Sequence, residues 1–115
     1  QAPYAAELTK DGGHDVVVLQ DRQRRQVVRV AVKFGNNAYS FTTNGVELFW
    51  RPAGTLTEWV AKPALGGNPL LAPWANRIDN EEYQVNGRTY RLNPSLGNLR
   101  RDGHQQPIHG LLLYS

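Results

Sequence analysis

EEYQVNGRTYRL, from Glu81 to Leu92, is the stretch whose reading decides for an antiparallel β protein. Its central pair, Asn86-Gly87, suits a type I′ turn, which needs positive φ at both central residues; Asn and Gly tolerate that conformation. A two-residue loop fixes the register. Val85 then lies opposite Arg88, Gln84 opposite Thr89, Tyr83 opposite Tyr90 and Glu82 opposite Arg91. The tyrosines share one face and the opposite charges share the other, each pair worth roughly 0.2–1 kcal/mol.

Working outward, the hydrophobic pattern keeps a period of two almost everywhere, as strands require. Asp15 to Gln20 (DVVVLQ) is a short apolar run, and Gln26 to Lys33 (QVVRVAVK) follows a polar Arg/Gln turn. In the second segment Val28, Val30 and Val32 alternate with Arg29, Ala31 and Lys33, which predicts one buried and one wetter face. A second Asn-Gly pair, Asn44-Gly45, predicts another hairpin, with Phe41 across from Leu48, Tyr39 from Trp50, and Ser40 facing Phe49. Aromatics on both of its faces suggest burial between two layers. No segment sustains a helical pattern over ten or so residues.

Two stretches are irregular. Lys62 to Arg77 holds Pro63, Pro69 and Pro73 with Gly66 and Gly67, which excludes a continuous strand or helix. Asn93 to Pro107 is polar and broken. An apolar run, Ile108 to Tyr114, then closes the chain and reads as a strand opened by Pro107-Ile108-His109-Gly110. A core strand that stops one residue later would leave its backbone and apolar face without partners. The expectation is therefore an incomplete domain, interrupted at Ser115.

Composition narrows the function classes. The 115 residues are 40% hydrophobic and 20% charged, as in folded proteins, and the length allows one small domain or part of a larger one. Net charge is +3, and the one dense basic group, Arg22, Arg24 and Arg25 with Arg29 nearby, reads as a solvated hairpin rim. A nucleic-acid partner is not expected. With no cysteine, disulfides, thiolate catalysis and Cys-based zinc sites are excluded. His14, His104 and His109 show no metal-ligand spacing, so neither a metal nor a cofactor is expected. His14 and His104 lie in glycine-containing polar segments and read as exposed. No run of 18 apolar residues is present, and a membrane partner is not expected. The Met-less Gln-Ala-Pro start suits a trimmed mature terminus and tilts toward a periplasmic or secreted setting, although engineered ends would look the same.

The candidate chemistry lies in GGNPLLAPWANRI, Gly66 to Ile78. A proline framework there carries an indole, Trp74, and an Asn76-Arg77 pair. Arg77 offers five donors in a rigid fork, and Asn76 offers both donor and acceptor. An aromatic plane beside such groups suits a neutral sugar, whose hydroxyls need hydrogen bonds and whose C–H faces need an apolar platform. The plainer alternative makes Trp74 a core residue and Arg77 a brace paired with a carboxylate. His109 could donate, accept or shuttle a proton, and Gly110 beside it leaves room for a ligand. Its plainer alternative is a half-buried histidine bonded to backbone.

NPLLAPWANRI, the Tyr-x-Val-Asn-Gly-Arg-x-Tyr-x-Leu hairpin, and His-Gly before an apolar run occur in that order. Together they are similar to the galactose mutarotase (aldose 1-epimerase) family. Gly35-Asn36-Asn37 and Asn44-Gly45-Val46-Glu47-Leu48 also resemble that family's early strands. The likeness covers most of the chain and is strongest from Asn68 to Leu113. It implies an all-β fold, a large antiparallel β-sandwich of the galactose mutarotase-like type, of which residues 1–115 are the N-terminal portion. It further implies that Asn76 and Arg77 bind sugar hydroxyls and that His109 is the first of two active-site histidines. The family's second histidine, its substrate-holding aspartate and its glutamate base have no matching positions here. The expected partners are a hexose such as galactose or glucose, and a C-terminal remainder of the protein as a second chain that pairs by strand addition. The expected activity of the completed protein is interconversion of α and β anomers. A non-catalytic carbohydrate-binding protein of the same fold, or a sugar-phosphate epimerase relative, is the alternative.

Overall fold

The computed structural model describes residues 1–114, and they divide into two compact units: Gln1–Leu70 together with Tyr114, and Leu71–Leu113. The first unit is built on a five-stranded antiparallel sheet in sequential order: β1 (Tyr4–Asp11), β2 (His14–Asp21), β3 (Gln26–Ala31), β4 (Asn37–Thr43) and β5 (Val46–Glu47). Gly12 and Gly13 both take positive φ and close the β1–β2 hairpin, with Asp11 paired to His14. His14 thus opens a strand and is half-buried, contrary to the exposed position expected for it; His104 is exposed.

One face of the sheet is covered. A short helix, α1 (Leu56–Ala61), packs Leu56 and Trp59 onto Val16, Val18, Ala31, Phe34 and Tyr39. The sequence pattern gave no sign of it, because six residues do not sustain a helical period. Its signal is the capping box: the Thr55 side chain accepts from Glu58 N at 3.1 Å and Glu58 accepts from Thr55 N at 3.0 Å. Trp59 is 1% exposed, meets Phe34 edge-on at 5.8 Å, and donates its indole N–H to Ala64 O at 2.7 Å. Phe34 also stacks on Tyr114 at 5.3 Å.

Strand β3 reverses the expected faces. Val27 and Ala31 belong to the core side, while Val28 and Val30 line the opposite side and Val32 is exposed. Arg29, set between Val27 and Ala31, breaks the apolar row that actually faces the core. Opposite Arg29 and Val30 the register jumps from Ser40 to Ala38, so Tyr39 is the extra residue of a β-bulge. The bulge lets two consecutive residues, Tyr39 and Ser40, both be buried.

The Asn44-Gly45 hairpin forms, with Thr43 opposite Val46 and Thr42 opposite Glu47. Leu48 N donates to Phe41 O at 2.8 Å, which agrees with the expected Phe41–Leu48 pairing. There the ladder stops. Glu47 accepts from Phe41 N at 2.9 Å, Phe49 N at 3.0 Å and Ser40 Oγ at 2.5 Å, so a carboxylate replaces the next rungs. Tyr39 is consequently buried while Trp50 stays 69% exposed, and the expected pairing between them does not occur.

The other face of the sheet is apolar and open. Leu8, Val17 and Val30 form one cross-strand row, and Ala6, Leu19, Val28 and Phe41 form the next. Leu8 and Leu19 are exposed, and an open concavity of about 580 Å³ lies over Tyr4, Leu19, Val28 and Phe41.

The second unit contains the hairpin β6 (Glu82–Val85) and β7 (Arg88–Arg91), a 3-10 turn at Pro94–Leu96, and loops tied by isolated bridges. All four expected cross-strand pairs of the hairpin occur; Tyr83 and Tyr90 stack at 5.4 Å, and Arg91 pairs with Glu82 at 3.3 Å. The run Ile108 to Tyr114 is not a strand. His109, Gly110 and Tyr114 take positive φ, which breaks an extended chain, and Pro107 and Ile108 make only isolated bridges. Ser115, where the interruption was expected, lies outside the described residues. The protein is therefore mainly β with antiparallel pairing throughout.

Candidate functional site

Two segments of the second unit run antiparallel and bring the candidate residues together. Leu111 N donates to Ala72 O at 2.7 Å, His109 N to Asn76 O at 2.9 Å, and Ile78 N to Pro107 O at 3.3 Å. Gly110 is required at the closest approach. A Cβ there would fall inside the Ala72 carbonyl, and its φ of +74° is readily adopted only by glycine. The Ala72-Pro73 peptide in this segment is cis.

Asn76 and His109 both have φ of +62°. Asn and His are among the non-glycine residues most often found in the left-handed region, and the two residues share that conformation where the segments meet. The two residues also meet through a side chain: Asn76 N donates to His109 Nδ1 at 3.2 Å. An accepting Nδ1 carries a lone pair. In the neutral ring the proton therefore sits on Nε2, which becomes a donor.

Arg77 is held by two neighbours. Its Nε donates to Asp102 Oδ2, and its Nη1 donates to Asn76 Oδ1 at 3.1 Å. These bonds fix the guanidinium plane and commit the Asn76 carbonyl oxygen. Nη2 of Arg77 and Nδ2 of Asn76 are left as donors with no protein acceptor among the described residues. Both residues are exposed. Trp74, two residues earlier, is half-buried, and its indole nitrogen is fully buried with no acceptor among the described residues.

Asp102 is the residue that the sequence pattern passed over. Its carboxylate is 7% exposed and also accepts from His104 N at 2.8 Å and Gln106 N at 3.0 Å. The Arg77 guanidinium, with the Gln106 and His104 amides, holds its carboxyl at about 2, well below the ordinary aspartate value of 3.8. The brace considered as the plainer role of Arg77 is thus present in the geometry, and Nη2 meets no protein acceptor among the described residues. Nearby, Arg101 pairs with Glu81.

Asn76, Arg77 and His109 accordingly form one hydrogen-bonded group whose remaining side-chain nitrogens are donors, chemically suited to the oxygens of a polyol. The structure brings no carboxylate into hydrogen bonding with His109 among the described residues. The basic cluster belongs to the β2–β3 turn of the first unit. There Arg22 donates to Ala2 O at 2.7 Å, Arg24 pairs with Asp21 at 3.0 Å, and Arg22, Arg24 and Arg25 are exposed. No helix among the described residues is long and apolar enough to cross a membrane. A scan against models of protein families finds no match to this chain, and a search of curated proteins finds none.

Proposed function

We propose that this chain is the N-terminal portion of a mutarotase-like β-sandwich and supplies part of a hexose site, in an aldose 1-epimerase-like protein. The observation that carries the reading is the Asn76–His109 pair. Two residues 33 apart in sequence, named together by resemblance, are joined by reciprocal hydrogen bonds, with Nε2–H of His109 left to act on a ligand. Arg77, fixed by Asp102 and Asn76, adds a second oriented donor.

In this reading Nη2 of Arg77 and Nδ2 of Asn76 bind ring hydroxyls, and His109 donates to a sugar oxygen from Nε2. Anomer exchange requires a base to take the proton from the anomeric hydroxyl while an acid protonates the ring oxygen. The C1–O5 bond opens to the aldehyde, C1 rotates, and the ring closes on its other face. Acid and base each contribute about 10²–10⁴-fold, and their pKa values must be pushed apart. One histidine does not fill both roles. The reading therefore needs a second histidine and carboxylates from polypeptide other than these residues. The open apolar sheet face, with Leu8 70% and Leu19 43% exposed, supports it, because such a face needs a second layer.

The test is the polarimetric rate of α- to β-galactose conversion, with the completing polypeptide present. Acceleration that falls at least 100-fold in His109→Ala is the expected result. An unaltered rate in that variant would remove His109 from the mechanism. The second reading is a non-catalytic carbohydrate-binding protein, favoured by the lack of a carboxylate bonded to His109 among the described residues. It is distinguished by galactose binding without any acceleration.

A further inference from the structure

Asp102 does more than close a loop. The segment from Asp102 to Gln106 wraps around its carboxylate: Asp102 N donates to Gln106 O, Gln105 N to Asp102 O, and His104 N and Gln106 N to Oδ1. The Arg101–Pro107 bridge closes the base of the wrap, and Pro107 leads directly to Ile108 and His109. The other carboxylate oxygen takes Nε of Arg77. One side chain thus ties the segment carrying Asn76 and Arg77 to the loop delivering His109.

This has a consequence for what the donor group can accept. Three donors left over beside an uncompensated guanidinium would favour an anion, such as a sugar carboxylate or phosphate. With Asp102 at Nε the Arg77–Asp102 pair is neutral overall, and it presents donors without net charge. We propose that Asp102 is a positioning and specificity-determining residue, one that orients Arg77 toward the ligand and makes the site select a neutral hexose over its anionic derivatives. The inference rests on the sugar-site reading and adds to it the chemical class of ligand and the residue that sets it.

The experiment is a nuclear magnetic resonance titration of the chain, its completing polypeptide present, with galactose and, separately, galacturonate, following the Asn76 and His109 amides. The wild-type chain is expected to bind galactose in preference to galacturonate. In Asp102→Asn, galactose affinity should fall roughly tenfold, as for loss of a charged hydrogen bond, while the preference shifts toward galacturonate. A purely structural role would weaken both sugars equally, and an unchanged preference overturns the proposal. Arg77→Lys keeps the charge but cannot be held by Asp102 and Asn76 together. It should lose galactose to a similar degree, and wild-type binding by that variant also overturns the proposal, even if Asp102→Asn fails to fold. If the wild-type chain with its completing polypeptide binds neither sugar, the sugar-site reading itself fails and this inference falls with it.

Discussion

His109 and Asn76 hold each other reciprocally: the imidazole Nδ1 accepts from the Asn76 amide, and the His109 amide donates to the Asn76 carbonyl, both residues at φ of +62°. Backbone conformation and side-chain orientation are coupled there. The ring cannot rotate without giving up the bond to the other segment, and Asn76 cannot relax to negative φ without moving that bond's donor.

The left-handed backbone at Asn76 sets the first expected outcome. Asn76→Gly should be tolerated or slightly stabilising in urea unfolding, whereas Asn76→Val should destabilise by about 1–2 kcal/mol or more. Equal stability of the two variants would contradict the backbone conformation. For sugar binding both substitutions should be damaging, since both remove Nδ2.

Gly110→Ala tests the close approach of the two segments. The new Cβ meets backbone rather than a flexible side chain, and at positive φ, so the segments must separate. A loss of roughly 2–4 kcal/mol is expected, and the Leu111 amide, bonded to Ala72 O, should lose its protection against hydrogen exchange. Retained protection at that amide would show that the segments do not meet as described.

The core of the first unit should respond as a packed interior does. Leu56→Ala and Trp59→Ala are expected to cost about 2–5 and 3–5 kcal/mol respectively. Thr55→Ala, which removes the cap of α1, should cost about 1 kcal/mol. Chemical denaturation of the three variants ranks them, and a Thr55→Ala effect as large as that of Trp59→Ala would contradict a helix held mainly by its buried face.

Much of this was legible in particular residues and little of it elsewhere. Asn86-Gly87 fixed four cross-strand pairs because a two-residue turn leaves no freedom of register. Asn44-Gly45 did the same near the turn, but pattern alone cannot show that Glu47 spends its carboxylate on two backbone amides and ends the ladder. The faces of β3 were misread because Arg29 interrupts the row that faces the core, so the more regular valines looked like the buried set. Asn76, Arg77 and His109 could be named as candidates from resemblance. Their mutual hydrogen bonds span 33 residues of chain, and no local periodicity encodes a contact of that range. Asp102 sits in the polar run RRDGH, where a carboxylate after two arginines looks like solvated surface.

The pH dependence of Asp102 follows from its depressed pKa. Its folded value of about 2 lies below the ordinary aspartate value of 3.8, so the unfolded chain binds the proton more readily. Its contribution to stability is then fully present above about pH 4 and is lost as pH falls through about 2. A carboxyl carbon-13 titration should place the Asp102 midpoint near 2 in the folded chain. In Arg77→Gln, the midpoint should move up toward the ordinary aspartate value; a midpoint that does not move would show that Arg77 is not the main cause.

Trp74 separates its two readings through one atom. The indole nitrogen is buried with no acceptor among the described residues, and an unmet buried donor costs about 1–3 kcal/mol. Trp74→Phe removes the donor and keeps an apolar ring, at the expense of some packing volume. If the N–H serves no ligand, the variant should match or exceed wild-type stability and bind galactose equally well. If the N–H meets a sugar hydroxyl once the loop is occupied, stability should again hold, but galactose affinity should fall about tenfold, the loss expected for a hydrogen bond that only the bound state satisfies. Thermal denaturation with and without galactose reads both quantities in one experiment. A variant markedly less stable than wild type without sugar would mean that packing of the larger ring outweighs its unmet donor. Trp74 would then be a core residue, and the platform for a sugar face would have to be sought elsewhere in the loop.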